Sequence, residues 1–143
     1  MDDAGPDRAA EPDIELRQLS AVRNGQLDSW RVAWLLKNRS ARQLLIQAVR
    51  LPHGQFKSEE RRFEPAVELR PNGERLFETL VQCDEPSGEV TENAFVIFYV
   101  IWFEEPWRVF VRMRVIVDFE GKPQATTESV TSQKVGFSQK DLS

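Results

Sequence analysis

The residues from Phe95 to Phe103 are apolar at every position, in the order Phe-Val-Ile-Phe-Tyr-Val-Ile-Trp-Phe. The run is much shorter than the ~20 residues of a membrane-spanning helix. Its β-branched and aromatic side chains favour a strand. Successive side chains of a strand point to opposite faces, so both faces of this strand are apolar. A small two-layer β protein can bury only one of them internally, and another segment or a partner must cover the second face.

A second strand follows, because Trp107 to Val117 alternates between apolar and polar residues. The two strands predict a hairpin over residues 93–119. Proline cannot adopt the positive φ of a two-residue type I′ turn, so a four-residue turn over Glu104–Trp107 is expected, with Phe103 opposite Arg108. A three-residue turn would shift this register by one residue. In both registers the arginine face of the second strand meets an apolar face of the first.

In the four-residue register one face of the hairpin carries no charge and is the predicted core face. Its members are Val96, Phe98, Val100, Trp102, Val109, Val111, Met113 and Val115. The other face, called here the outer hairpin face, mixes arginines with aromatic and aliphatic side chains, the residue types enriched at interface hot spots. Its members are Phe95, Ile97, Tyr99, Ile101, Phe103, Arg108, Phe110, Arg112 and Arg114.

Coverage of the outer hairpin face by the chain itself is the alternative to a partner. The N-terminal segment, the charged connection Lys57–Arg62 or the C-terminal tail would then lie across it. The arginine stems could also shield the rings while their guanidinium groups stay in water.

The rest of the chain consists of short apolar runs separated by turn signals such as Asn24-Gly25 and Pro71-Asn72-Gly73. No segment has the period of an amphipathic helix. The pattern predicts an all-β protein, a single antiparallel β-sandwich of seven to eight strands. Residues 125–135 are expected to form an edge strand.

This strand-and-turn spacing resembles the immunoglobulin-like and fibronectin-III-like architectures from Asp13 to about Val135. The Cys…Trp…Cys pattern of antibody domains is absent, because Cys83 is the only cysteine. The resemblance implies one sandwich domain over residues 13–135. Residues 1–12 are then a disordered N-terminal tail, rich in Asp, Ala and Pro, and residues 136–143 a C-terminal tail.

Candidate chemistry is sparse, and we expect no enzymatic activity, cofactor or metal. His53 is the only histidine, which excludes His₂ and His₃ metal sites within one chain. A catalytic triad would need His53 with Ser58 or Cys83, and a surface histidine in a turn is the simpler interpretation. Calcium binding by the acidic loops has no Asp-x-Asp spacing to support it.

The predicted function is a protein-interaction or assembly module that uses the outer hairpin face, with a homodimer as the simplest version. One alternative is a module binding carbohydrate or a lipid-like ligand, with Trp107 as an exposed platform. Another is an accessory subunit of a larger complex. A net charge of -4 argues against nucleic acid as a partner. The lack of a signal-peptide pattern predicts a cytoplasmic location, and no transmembrane segment is predicted.

Overall fold

The computed structural model describes residues 11–25 and 28–136, and all regular structure in this part of the chain is β. The absence of helix there confirms the all-β prediction. The expected tails, residues 1–12 and 136–143, lie mostly outside the described residues. The strands are β1 (Ile14–Arg23), β2 (Ser29–Asn38), β3 (Leu44–His53), β4 (Phe56–Leu69), β5 (Glu74–Gln82), β6 (Val90–Trp102), β7 (Glu105–Val117) and β8 (Pro123–Lys134).

All eight strands belong to one antiparallel sheet, in the order β1-β2-β5-β4-β3-β6-β7-β8. The first and last strands contact each other, so the sheet is nearly closed and barrel-like. The immunoglobulin-like sandwich is therefore not the arrangement found. The difference lies in the β3–β4 hairpin, which is paired from Leu44–Leu69 to His53–Phe56 and interrupted only by bulges. Bulges bend a sheet without breaking it, so β3 and β4 stay paired while the sheet curves around one core.

The interior is filled by large side chains from strands on all sides. Trp34 of β2 packs against Phe56 with ring centroids 6.2 Å apart and against Phe77 at 6.5 Å. Phe77 in turn meets Phe98 of β6 at 6.0 Å. The Trp34 indole donates a hydrogen bond of 2.9 Å to Thr79 Oγ1, which satisfies its buried polar group. Each such side chain contributes about 1.5–3 kcal/mol by burial, and together they complete the core.

The β6–β7 turn differs from the predicted one. The register places Tyr99 opposite Arg108, and the turn is the two-residue Phe103-Glu104. Both turn residues have positive φ, 52° and 64°, as a type I′ turn requires. The expected four-residue turn and the pairing of Phe103 with Arg108 are therefore wrong.

Pro106 explains why the turn lies earlier in the chain than predicted. It lies in β7 opposite Ile101. Its carbonyl accepts a hydrogen bond of 2.9 Å from Val135 N–H. Pro106 therefore directs its backbone away from β6, and its missing N–H costs the β6–β7 ladder nothing. The register shift is an even number of residues, so the division between the two faces is the predicted one. All members of the predicted core face are buried.

The seam between β1 and β8 is sealed by side chains. Gln18 Nε2 donates to the Pro123 carbonyl at 2.9 Å, and Gln18 Oε1 accepts from Ala125 N–H at 2.8 Å. Thr127 Oγ1 donates to the Leu16 carbonyl at 2.9 Å. The Gln18 amide thus offers β8 the donor and acceptor that a neighbouring strand would provide. The last strand in the order is consequently only in part the free edge that the sequence predicted.

Asn38, at the end of β2, connects several strand ends. Its side chain is fully buried. Its Nδ2 donates to the carbonyls of Arg42 at 2.9 Å and Leu69 at 2.8 Å, while its Oδ1 accepts from Ser40 N–H at 2.8 Å. Its own N–H donates to the Gly73 carbonyl at 3.0 Å. One residue therefore joins the end of β2 to the start of β3, the end of β4 and the start of β5.

Replacing this amide is expected to destabilise the fold strongly. Asn38→Ala leaves the buried Leu69 carbonyl and Ser40 N–H and the part-buried Arg42 carbonyl without this partner, at a cost of about 3 kcal/mol. Guanidinium unfolding followed by tryptophan fluorescence measures the change. Gln43→Ala, which removes an exposed amide nearby, is the control and should stay within about 0.5 kcal/mol of the parent. Equal midpoints for Asn38→Ala and the parent would contradict this role.

Candidate functional site

The outer hairpin face lies on the outside of the barrel, on β6 and β7. Phe95, Ile97, Tyr99 and Ile101 of β6 are half-buried, and they alternate with the core residues. From β7, Phe110 and Arg112 are half-buried, whereas Arg108 and Arg114 are exposed. Phe103 stands apart from the others because it occupies the turn, where its side chain is 61% exposed.

Tyr99 is the centre of this face. Arg108, directly across from it on β7, places its guanidinium carbon 5.4 Å from the ring centroid. Arg50 of β3 donates from Nη1 to the phenol oxygen at 3.4 Å. Beside this group, Phe95 and Phe110 meet edge to face with centroids 6.4 Å apart. Arginines over rings keep part of the apolar surface from water, while their charged groups still face outwards.

Arg50 was not predicted as a member of the face. It lies opposite Ile97 in the β3–β6 ladder. That pairing joins strands far apart in the sequence, and nothing in the local pattern of Leu44–Leu51 indicates which strand it meets. The charge of Arg50, the one charged residue among Leu44–Leu51, was the only available signal.

The remaining arginines are held by polar neighbours. Arg112 donates from Nε to Ser129 Oγ at 3.1 Å and from Nη1 to Asn93 Oδ1 at 3.1 Å. Arg114 pairs with Glu92, with Nε and Oε2 3.1 Å apart. That pair is exposed, so it contributes little to stability. The hydrogen bonds fix the direction of both guanidinium groups.

Phe103 is a separate, exposed aromatic side chain at the end of the hairpin. The Arg42 guanidinium carbon lies 4.0 Å from its ring centroid, a cation–π contact, and Trp102 meets the ring at 6.1 Å. A shallow cleft of about 370 Å³ adjoins the Phe103 ring. It is lined by Arg42, Gln43, Leu45, Glu68, Ile101, Phe103 and Glu104.

Trp107 is not the exposed platform that the sequence suggested. It lies opposite Val100, on the inward side of β7, and is half-buried. Its ring packs edge to face on Trp102 at 5.9 Å. Lys134 Nζ lies 5.8 Å from the ring centroid. These contacts hold the indole against the end of the core.

The candidate catalytic residues do not form a hydrogen-bonded constellation. His53 Nδ1 accepts a hydrogen bond of 3.2 Å from Gln55 N–H, and Ser58 Oγ donates to the Glu59 carbonyl at 3.3 Å. Neither of these bonds joins histidine to serine. Within residues 11–25 and 28–136, no group of three or more His, Cys, Asp or Glu residues is placed to hold a metal ion.

Comparison with known proteins adds no family. No protein-family model matches the chain, and no curated protein matches it. The part of the chain that the structure describes contains no helix able to cross a membrane.

Cys83 is buried, as expected for a cysteine on the apolar side of a strand. Burial is the largest cause that raises the pKa of its thiol, followed by the charge of Glu85, and together with smaller effects they bring the pKa to about 11. The thiol is therefore protonated and shielded at neutral pH, unlike a nucleophilic cysteine.

We expect the native thiol to react with Ellman's reagent at pH 8 at least about a hundredfold more slowly than in the guanidinium-unfolded chain. The folded pKa lies above the unfolded value of about 8.5. The thiol's contribution to stability is thus present below that pH and is lost as the pH rises towards 11. Absorbance at 412 nm follows the reaction, and Cys83 is the only thiol that can react. Equal rates for native and unfolded chain would contradict the burial of Cys83.

Proposed function

We propose that this chain is a non-catalytic module that binds a partner protein through the outer hairpin face. The observation that supports this most is an aromatic and aliphatic surface on the outside of a barrel whose core is complete without it. All eight strands belong to one sheet, so the described residues provide no second layer over β6 and β7. Surfaces of this composition, apolar with arginines, are typical of interface cores.

The charges on the face favour an acidic partner. Arg50 donates to the Tyr99 phenol, and Arg108 lies over the Tyr99 ring. Arg112 donates to Ser129 and Asn93, which are both neutral. Within the described part of the chain, none of the three forms an ion pair. Only Arg114 has a carboxylate partner, Glu92. Carboxylates of a partner protein could pair with these guanidinium groups in bidentate geometry while its apolar side chains cover Ile97 and Phe110.

A homodimer is less favourable on the same grounds. A two-fold contact uses one patch twice. Arg50, Arg108 and Arg112 would then approach their own copies. Glu92 could offer them a carboxylate, but it is already paired with Arg114. Like charges placed together in an interface cost several kcal/mol, of the order that decides between partners. The homodimer expected from the sequence therefore becomes the second version of the proposal.

The ligand-binding alternative has less support. A lipid-like molecule between sheets would need space that Trp34, Phe56, Phe77 and Phe98 occupy, and Trp107 is packed against Trp102. An accessory subunit of a larger complex would use the same surface and differs only in the partner. The cytoplasmic location stays a prediction from the sequence.

Charge reversal on the face should remove partner binding without unfolding the barrel. A photo-reactive benzoylphenylalanine at Phe110 is expected to cross-link one protein in the native cell, and Arg108→Glu should reduce this product at least about tenfold, the loss expected for an interface charge pair. Arg17→Glu is the matched control, because Arg17 is an exposed arginine on β1. Unfolding midpoints of both variants should match the parent.

Light scattering of the purified chain across concentration separates the two versions. A monomer at every concentration, together with the cross-link from position 110, supports the acidic partner. Self-association that Tyr99→Glu or Phe110→Asp abolishes supports the homodimer and contradicts the acidic partner. A monomer that gives no more cross-linking from position 110 than from position 17 overturns the proposal.

A further inference from the structure

The barrel has a second seam, between β4 and β5, and the backbone does not close it. These strands are neighbours in the sheet, but their ladder contains one pair, Lys57 with Gln82. By contrast, β5 pairs with β2 along its whole length, from Glu74–Lys37 to Gln82–Ser29. One edge of β5 is thus fully paired, and the other is paired at one end.

The unpaired groups of this edge can be identified. In an antiparallel ladder each residue directs its N–H and C=O to the same side, and the side alternates along the strand. Cys83 N–H donates to the Asp28 carbonyl on the β2 side at 2.9 Å. The Glu78 carbonyl accepts a hydrogen bond from Arg61 Nη1 on the β4 side. Leu76, Glu78 and Leu80 therefore direct their backbone N–H and C=O groups towards β4.

The seam stays open because β4 follows β3. Where β3 advances from Ile46 to Ala48, β4 goes from Val67 to Arg62, so extra residues bulge out of the ladder. Phe63 within the bulge turns inwards, and its ring meets Phe77 edge to face at 5.7 Å. The core is closed by this ring, while the backbones form no ladder pair beyond Lys57 and Gln82.

A cleft of about 810 Å³ lies beside β5 at the end of the seam where Lys57 pairs with Gln82. Its lining is Asn24, Arg31, Lys57, Ser58, Glu59, Arg61, Glu78, Thr79, Leu80 and Gln82. Leu76 and Leu80, on the outward side of β5, are 63% and 55% exposed. They lie on one face with Glu78 between them, so the edge presents an apolar–polar–apolar pattern at alternate positions.

We propose that the open edge of β5 binds an extended segment of a partner protein, which adds a strand to the barrel beside Leu76, Glu78 and Leu80. The backbone of such a segment supplies the donors and acceptors that this edge lacks. Its residues opposite Leu76 and Leu80 are apolar, since cross-strand neighbours share a face. Binding displaces the Arg61 guanidinium from the Glu78 carbonyl.

The charges at the edge fix the central position of that segment. The Glu78 carboxylate lies 3.9 Å from the Arg31 guanidinium, whereas Arg61 donates to the Glu78 backbone carbonyl. Three cationic side chains, Arg31, Lys57 and Arg61, and two carboxylates, Glu59 and Glu78, line the cleft. Glu78 therefore needs no cation from the segment, and its own charge disfavours a carboxylate opposite it. The residue opposite Glu78 is therefore polar and uncharged. A second copy of the chain fits less well, because two-fold pairing about Glu78 would set this carboxylate opposite its own copy.

This surface is distinct from the outer hairpin face. Two strands, β4 and β3, separate β5 from β6 in the sheet. The two surfaces also differ in what they recognise: side-chain shape and charge on the hairpin, backbone hydrogen bonds at the β5 edge. Either proposal can fail without the other.

The test uses the heptapeptide acetyl-Thr-Leu-Thr-Gln-Thr-Leu-Thr-amide and two N-methylated forms. Its Leu, Gln and Leu residues would lie opposite Leu80, Glu78 and Leu76 and direct their N–H groups to β5. Methylating these three nitrogens should weaken binding, measured by calorimetry, by about tenfold or more, the loss expected for three hydrogen bonds. Methylating three threonine nitrogens, which face away from β5, should change it less.

Matched variants of the protein locate the site. Leu80→Lys should reduce binding several-fold, whereas Leu19→Lys, at a leucine on β1 that is 47% exposed, should leave it unchanged. No binding of the parent peptide, or equal affinity of the two N-methylated forms, overturns the proposal. So does equal binding by the Leu80→Lys variant and the parent. Chemical shifts of the Leu76, Glu78 and Leu80 amides that change with protein concentration alone would assign the edge to a second copy and contradict the partner strand.

Discussion

A buried side-chain amide holds this barrel together where the backbone ladders end. Asn38 bonds the carbonyls of Arg42 and Leu69 and the amide of Ser40, so strand ends from both halves of the sheet meet at one residue. Gln18 has the same role at the β1–β8 seam, where its side-chain amide bonds β8 as a strand backbone would. A curved antiparallel sheet can close only if the polar groups at its seams are satisfied. These two amides meet that requirement with side chains.

Closure determines which surfaces are left for function. One sheet curled around Trp34, Phe56, Phe77 and Phe98 buries the inner side of each strand, and residues 11–25 and 28–136 place no second layer on the outer side. The apolar and aromatic residues on the outside of β6 and β7 are therefore additional to the core. The β4–β5 seam differs from the β1–β8 seam, because Arg61 contacts one carbonyl there and, in the described part of the chain, no side-chain amide spans it as Gln18 does. The two proposed interaction surfaces follow from these two features.

The sequence predicts the two faces of the β6–β7 hairpin, but it does not predict the barrel or the open edge of β5. The two faces of the β6–β7 hairpin follow from alternation, and they survive the register error because the shift is even. The turn was missed because Phe103-Glu104 contains neither Gly nor Asn, although both residues have positive φ. The barrel, the role of Arg50 and the open edge of β5 depend on the pairings β2–β5 and β3–β6. Local periodicity does not determine which distant strands pair.

Amide hydrogen exchange of the free chain, measured residue by residue by NMR, tests the central claim that one seam is sealed and the other open. Phe77, Thr79 and Val81 should exchange slowly because they donate to β2, while Leu76, Glu78 and Leu80 should exchange fast. Ala125, which donates to Gln18 at 2.8 Å, should be slow. Uniform protection along β5, or fast exchange at Ala125, would contradict this account of the barrel.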